Sequence, residues 1–561
     1  MTNLLLPFLT KIAKYSRERF VAKTIQVDAV QEKFLFNLLR AHQDTQLGRV
    51  DGLSEVRKID QFRDRIPIRP YSSYEPYLEK ITQGENHILT AQKVIYMTLT
   101  SGSTGKQKLI PTTKKSQSIV RNASLVSMGF LAEALAKRGQ KFGKLLVTNS
   151  VQQWGRTPGG IDYGPSSAGV LRLDKRLFAQ LFAHPYETAK LKDSLTRHYV
   201  ALLFALGNWE MGGTIANFPM LILRTCNYLS QYAESLIADI AQGSIAPWLE
   251  MEPELRSQLE RQWTANPVRA RELQEILQSH GKLTPKLAWP NLAVVATARG
   301  GTSDFYFQRF PEYFGDTAIF GVVFSSAEGM FGIYPDVNTD GSILAIESGF
   351  FEFIPEDQWG VEHPQTLLAT EVQVGQRYRI LTTTYSGFYR YDIGDVIEVV
   401  GFYQQAPLIV FRHRQGGQMS STTEKTNEHH VTRVLQALQG EFHLNLEDFC
   451  ITLSERDFPA RYLINIELAD GDTLSDPQAF LAKCDRLLGE YNTHYVISRQ
   501  SDIPPPRLRL LEKGSFDILR QRQLGRGIPD SQLKFSHISE DRNFLEGLVV
   551  EKEVRLPDDV N

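Results

Sequence analysis

The chain has 561 residues and a formal net charge of −2, with 42% hydrophobic and 22% charged residues. These are globular values, and they exclude disorder over most of the length, which needs low hydrophobicity or high net charge. The near-neutral balance argues against a dedicated nucleic-acid binder. A prior of about 150 residues per domain allows three or four units, or one large α/β unit with a smaller one.

The N-terminus reads MTNLLLPFLTKIAKYSRERF. Its apolar stretch, residues 4–9, is followed by Lys11 and has no small-residue cleavage signal, so an amphipathic helix is expected rather than a leader. No run approaches the about 20 apolar residues of a membrane span. Residues 26–44 place Val27, Val30, Phe34 and Leu38 at helical spacing and predict a helix. The stretches 116–138 and 217–241 read the same way. Strands are predicted at 94–100, 144–150, 292–298, 317–326 and 378–385. Helices alternating with buried strands imply an α/β fold. Cys226, Cys450 and Cys484 are scattered and form no CxxC, so reduced buried thiols are expected rather than a zinc site or a disulfide framework.

Near residue 396 the texture changes. VIEVVGF and LIVFRHR read as a strand pair joined by YQQAP, and RQGGQMSSTTEKT mixes Gly, Ser and Thr as a hinge does. A helix near 427–438, strands at ITLSERD and RYLINIELA, and a helix near 475–490 then make an α+β unit. The predicted division is 1–414 and 415–561. The expectation is a soluble, cytoplasmic protein with no membrane, nucleic-acid or obligate protein partner.

The strongest local signal is TLTSGSTGKQKLIPTT, residues 98–113. A strand enters a loop of Thr100, Ser101, Gly102, Ser103, Thr104 and Gly105 and leaves as LIPTT. Small residues let the backbone approach an anion, their N–H and hydroxyl groups can cradle phosphate oxygens, and Lys106 and Lys108 add charge. It is not a Walker A loop, which ends G-K-[ST] and opens a helix; here a proline-containing strand follows.

This loop resembles that of the adenylate-forming enzymes, the superfamily of acyl-CoA synthetases, firefly luciferase and peptide-synthetase adenylation domains. FSSAEGMFGI, residues 324–333, resembles their second motif. FYRYDIGDVIEVVGF, residues 388–402, resembles their third. The resemblance implies that Phe324, with Ser325 and Ser326, borders the adenylate, that Glu328 coordinates Mg²⁺ beside the ATP phosphates, and that Asp395 binds the ribose hydroxyls. The bland alternatives are a solvated loop carboxylate for Glu328 and a turn cap after Gly394 for Asp395.

Finer segments narrow the likeness: PYSSYEPYLEKITQGENHILT before the loop, TPGG at 157–160, SQYAESLIADIAQGSIAPWLE at 230–250, WPNL at 289–292 and GSFD at 514–517. With these the chain is similar to the auxin-responsive acyl-acid amido synthetases, the Gretchen Hagen family, over about residues 26–540. The resemblance implies a large N-terminal α/β domain with mixed sheets and a barrel-like element, holding the nucleotide and acyl-acid sites, and a smaller mobile α+β C-terminal lid. It implies a ligase that uses ATP and Mg²⁺ to activate a carboxylic acid as an acyl-adenylate and joins it to an amino acid. Two departures stand out. Phe324 replaces a customary Tyr, and the C-terminal Q-x-K-x-P-R keeps Gln532 and Lys534 but loses the Pro-Arg. Lys534 is the candidate for the lysine at the α-phosphate, with Lys513 as competitor; Arg414 and Lys425 are further nucleotide candidates. An acyl- or aryl-CoA ligase, or a non-catalytic nucleotide-binding regulator, remain as alternatives.

Overall fold

The computed structural model describes residues 5–99, 108–151, 155–165, 175–208, 211–301, 303–415, 417–422, 424–455, 457, 459–501, 503–525, 533, 535–541 and 543–559. The chain divides into two compact units, Met1–Gly300 with Phe310–Phe411, and Gly301–Arg309 with Arg412–Asn561. Arg414 therefore falls in the second unit, and so does the short stretch 301–309, which no composition shift in the sequence marks.

The first unit carries strands β1 (Tyr96–Leu99), β2 (Leu109–Thr112), β3 (Lys144–Val147), β4 (Gly155–Arg156), β5 (Asp162–Pro165), β6 (Met211–Ile215), β7 (Val294–Ala296) and β8 (Ala318–Phe320). They continue with β9 (Val323–Ser325), β10 (Met330–Ile333), β11 (Ser342–Leu344), β12 (Phe350–Pro355), β13 (Arg377–Thr383), β14 (Tyr391–Tyr403) and β15 (Ala406–Arg414), whose last three residues are counted with the second unit. Three sheets result, in the orders β2-β1-β5-β4, β3-β6-β7-β8 and β12-β13-β14-β15-β11-β10-β9. The second is parallel throughout, as crossover helices require. The seven-stranded sheet is open: no bond joins its two edges into a closed barrel among the described residues.

The single strand expected at 317–326 is two strands in two different sheets. Gly321 and Val322 separate them. A Cβ on Gly321 would stand 2.4 Å from the Tyr334 ring, and Val322 takes φ +56°. The chain thus turns sharply from the parallel sheet into the hairpin β9–β10. The helix expected at 217–241 is likewise two, Pro219–Gln231 and Ala233–Gln242, broken at Tyr232.

Helix Lys114–Lys137 opens on a capping box between Thr113 and Ser116. By length and composition it is apolar enough to cross a membrane, contrary to the expectation that no run would be. Its apolar face is spent on the core instead: Val126, Phe130, Leu131 and Leu135 are buried in the main cluster. It crosses helix Leu5–Lys23 at Gly129, and Phe20 meets Phe130 edge-on at 6.5 Å. All three cysteines are buried and joined by no disulfide.

The second unit is a sheet ordered β21-β18-β19-β20-β22, from β18 (Leu446–Leu453), β19 (Tyr462–Leu468), β20 (Arg507–Leu511), β21 (Ile538–Ser539) and β22 (Val550–Arg555). Helices Glu428–Phe442, Pro477–Tyr491 and Ser515–Gly525 accompany it. The Gly/Ser/Thr stretch read as a hinge contains a small hairpin, β16 (Gln418–Met419) with β17 (Thr426–Asn427). His430 is half-buried and completes a capping box with Asn427.

A Cβ at Gly129 would lie 2.3 Å from the Ala13 carbonyl oxygen. Gly129→Leu is expected to force the two helices apart and cost about 1–3 kcal/mol. Gly440 has nothing within 4 Å of its Cβ position, so Gly440→Ala is expected to stabilise by about 0.5–1 kcal/mol. Thermal unfolding followed by circular dichroism separates the two.

Candidate active site

Residues 100–107, and with them Thr100, Ser101, Gly102, Ser103, Thr104 and Gly105, lie outside the described residues, as does Lys534. The base of the loop is described. β1 and β2 pair antiparallel, Leu99 opposite Leu109, so the loop is the connection of a hairpin. Tyr71 holds that base. Its hydroxyl accepts from the Leu109 N–H at 2.8 Å and faces the Leu109 carbonyl at 3.2 Å. The Lys108 ammonium stands 5.2 Å from the centre of the Tyr71 ring, close enough for a cation–π attraction. Burial first, then the negative charges of Glu75 and Glu328, push the Tyr71 phenol up to about 12, so it stays a neutral donor.

The second motif is the hairpin β9–β10, with residues 326–329 as its turn. Ser326 N–H donates to the Gly329 carbonyl at 2.9 Å, and Glu328 N–H to the Ser326 hydroxyl at 3.2 Å. These bonds turn the Glu328 side chain inward, where it is only 4% exposed. Phe324 is half-buried and lies beside Phe331 at 5.1 Å and Phe411 at 5.6 Å; Ser325 is exposed.

The third motif meets the second directly. The Tyr391 hydroxyl donates to Glu328 Oε1 at 3.3 Å. Four residues on, Asp395 is 3% exposed. It sits in a bulge of β14: Arg379 faces Val396 and Leu381 faces Asp392, which leaves residues 393–395 opposite Ile380 alone. Gly394 takes φ +79° there, a conformation that glycine adopts without steric cost. Asp392 closes the bulge by accepting from the Gly394 N–H at 2.9 Å and lies 3.2 Å from Arg379 Nε. Burial raises the Asp392 carboxyl, and Arg379 and Lys108 oppose the rise. Bulges re-aim side chains, often beside active sites.

A segment that the sequence marked only as family-like ties these parts together. Residues 69–74 run beside the start of β14. Arg69 N–H donates to the Arg390 carbonyl and Asp392 N–H to the Arg69 carbonyl. The Tyr74 hydroxyl donates to the Tyr389 carbonyl at 2.7 Å and accepts from the Tyr389 N–H at 2.9 Å. Arg69 is itself pinned by a two-pronged bond to Asp51 at 2.6 and 2.8 Å. One strap thus carries Tyr71 to the loop base and Tyr74 to the third motif. Its tyrosines, in PYSSYEP, were the available signal, but nothing in their spacing says which backbone they bind.

Arg390 of the third motif faces away from this spot. Its guanidinium pairs with Glu352 at 2.9–3.2 Å and donates to the carbonyls of Arg63 and Ile66, all in the core. Both side chains are almost fully buried, at 6% and 1% exposure.

Arg414 and Lys425 belong to the second unit. Lys425 is exposed and takes φ +47°. The turn before it is held by the buried Glu424 carboxylate, which takes bonds from Ser421 N, Thr422 N and the Tyr462 hydroxyl. Lys513 forms a surface pair with Asp470, the two side chains 74% and 75% exposed. GSFD has a structural role: Glu467 accepts from the N–H groups of Gly514 and Phe516 and caps helix Ser515–Gly525. Phe204 packs on Trp263 at 5.0 Å.

Among the described residues no group of three or more His, Cys, Asp or Glu is arranged as a metal site. One buried carboxylate fits Mg²⁺ all the same, because that ion is commonly held by one or two carboxylates together with substrate phosphates and water.

Removing one partner of a buried pair strands the other charge, at about 3–5 kcal/mol. Glu352→Ala is therefore expected to destabilise the first unit by that amount, read as a shift in the urea midpoint. Tyr71→Phe, which removes only the hydroxyl, is expected to cost about 1–2 kcal/mol and to raise the KM for ATP.

Comparison with known proteins finds relatives over most of the chain. The chain matches the GH3 family N-terminal domain over residues 16–319, the GH3 family central domain over 342–414 and the GH3 family C-terminal domain over 429–543. It is 25% identical over 546 residues to the indole-3-acetic acid-amido synthetase GH3.3 of Arabidopsis thaliana, covering 92% of this chain and 90% of that one. It is 26% identical over 550 residues to indole-3-acetic acid-amido synthetase GH3.8 of Oryza sativa subsp. indica, covering 92% and 89%. The solved structure of AtGH3.15 acyl acid amido synthetase in complex with 2,4-DB has the same fold, with TM-score 0.84, 23% identity and 98% of both chains covered. A 2-hydroxyisobutyryl-CoA ligase shares the fold more distantly, with TM-score 0.52, 12% identity and 94% and 90% covered. Three consecutive domain matches account for most of the chain: it belongs to the GH3 family.

Proposed function

We propose that this chain is an ATP-dependent acid–amino acid ligase, which activates a small carboxylic acid as its acyl-adenylate and joins it to an amino acid through an amide bond. The observation that carries the reading is the Tyr391–Glu328 bond, which joins the second and third motifs in the unit that also holds the Tyr71-clamped base of the loop. The amido synthetase relatives support it.

In the first step a carboxylate oxygen attacks the α-phosphorus of ATP, the bond to the bridging oxygen breaks and pyrophosphate leaves. In the second, an amine attacks the acyl carbonyl, loses a proton and displaces AMP. No covalent protein nucleophile is required, so the protein contributes positioning and charge stabilisation. Residues 100–105 and Lys108 hold the outer phosphates. Phe324, Ser325 and Ser326 border the adenylate, and Asp395 takes the ribose hydroxyls. Glu328 holds Mg²⁺, which screens the phosphate charge when bound. Lys534 supplies positive charge at the α-phosphate, and Arg414 and Lys425 assist at the nucleotide; these three assignments rest on the family resemblance.

The test is pyrophosphate release from ATP and Mg²⁺ with indole-3-acetate, 2,4-DB, benzoate and alkanoates, with and without a pool of amino acids. Release is expected to need one class of acid and to rise with amino acids. Glu328→Ala and Lys534→Ala are each expected to lose about 10²–10³ in rate. Release that responds to CoA and not to amino acids would convert the reading to a CoA ligase. ATP binding without release for any acid would favour a nucleotide-binding regulator.

A further inference from the structure

Helix Lys114–Lys137 follows β2, the strand on which the loop of the first motif leaves, after Thr113 alone. It reaches the approach to the second motif through Ser127. That residue is 0% exposed among the buried Val126, Phe130 and Leu131, and its hydroxyl donates to the Val322 carbonyl at 2.7 Å. Ser124, one turn earlier, takes the ordinary course and donates to the Val120 carbonyl four residues back at 2.9 Å. A hydroxyl buried on an apolar face is costly unless it is bonded, so the bond to Val322 is what makes a serine tolerable at 127.

Val322 is a residue that needs holding. Its φ of +56° lies in the left-handed region, where the Cβ of an L-residue crowds the following carbonyl and β-branched side chains are outliers. Such conformations persist where the surroundings over-determine them, and they gather at active sites. Two donors meet at the Val322 carbonyl, the Ser127 hydroxyl and, at 3.4 Å, the Tyr334 N–H. Beyond Val322 the chain has no slack. β9 starts at once, pairs Val323 with Ile333 and Phe324 with Gly332, and runs into the turn that carries Glu328. The two motifs are close: the Tyr71 phenol on the loop base is pushed up by burial and, in part, by the charge of Glu328.

We propose that Ser127 is a positioning residue for adenylation: by holding the Val322 carbonyl, it sets Phe324 and Glu328 relative to the loop base at Leu109. This rests on the reading of Phe324 and Glu328 given above. Glu328 and the loop have to serve the same phosphates, so the spacing of the two motifs sets the rate. The path that fixes it runs from Leu109 through β2, the Thr113 cap and helix Lys114–Lys137 to Ser127, and from Val322 along β9 to the turn. A misplacement of about 1 Å costs about 10²-fold in such a reaction.

The experiment is acid-dependent ATP–pyrophosphate exchange, using the acid that gives the most release above. Wild type is run beside Ser127→Ala, Ser127→Cys, Ser124→Ala and Glu328→Ala. Titration calorimetry reads the affinity for ATP with Mg²⁺ and with EDTA. Hydrogen exchange of the peptide spanning 319–330 is followed without nucleotide, and circular dichroism checks folding. Ser127→Ala is expected to lower kcat at least about tenfold, to narrow the gap between the two ATP affinities, and to exchange faster at 319–330. Ser124→Ala, which loses a hydroxyl from the same helix, is expected to match wild type in all three. Ser127→Cys keeps the volume and offers only a weak donor; it is expected to move the same way by less, and it carries the test if Ser127→Ala does not fold. Folded Ser127→Ala with wild-type kcat or unchanged exchange at 319–330, or a loss matched by Ser124→Ala, overturns the proposal, as does wild-type kcat in Ser127→Cys when that variant carries the test. If Glu328→Ala turns over like wild type, the reading of the site fails and the proposal with it. If Glu328→Ala is inactive and the Ser127 variants are unchanged, the proposal alone fails.

Discussion

The buried pair of Arg390 and Glu352 is the constraint on which the candidate site depends. It joins β12 to the start of β14, and the same guanidinium collects two carbonyls from residues 63 and 66. A buried pair of this kind contributes little net stability against an apolar replacement, because desolvation offsets the attraction. What it supplies is direction. Arg390 turns into the core at φ +44°, and the next residue, Tyr391, opens β14 and reaches Glu328.

From that point the site is assembled by backbone bonds rather than by side-chain charge. The strap 69–74 fixes one end of the third motif through Tyr74 and the base of the loop through Tyr71. The bulge at 393–395 then displaces Asp395 from the plain alternation of the strand. Each device is rigid, buried and hydrogen-bonded. This suits a reaction in which the protein makes no bond to the substrate and gains rate from preorganised geometry.

The second unit solves a related problem with charge. Glu424 gathers backbone N–H groups beside Lys425, and Glu467 caps the helix that follows Gly514. His537 draws four segments together through Asp448, Glu428 and Tyr306.

By itself the sequence determined the fold class, the order of the three motifs and the family they resemble. Small loop residues, a Glu after paired serines and a Gly-Asp step are chemical needs that show in local spelling. Most helices and strands were legible for the same local reason, since periodicity reports which face of an element is buried. Only the tertiary structure decided the rest. The run 317–326 looks like one strand, because the ring that leaves no room for a side chain at Gly321, Tyr334, lies outside it. Helix Lys114–Lys137 reads as apolar enough for a membrane because its partner, helix Leu5–Lys23, is about a hundred residues away. The roles of Tyr71, Tyr74, Arg390 and His537 depend on partners between 38 and 327 residues distant. A hydrogen bond is specified by distance and angle in space, and at such separations spacing along the chain carries no record of either.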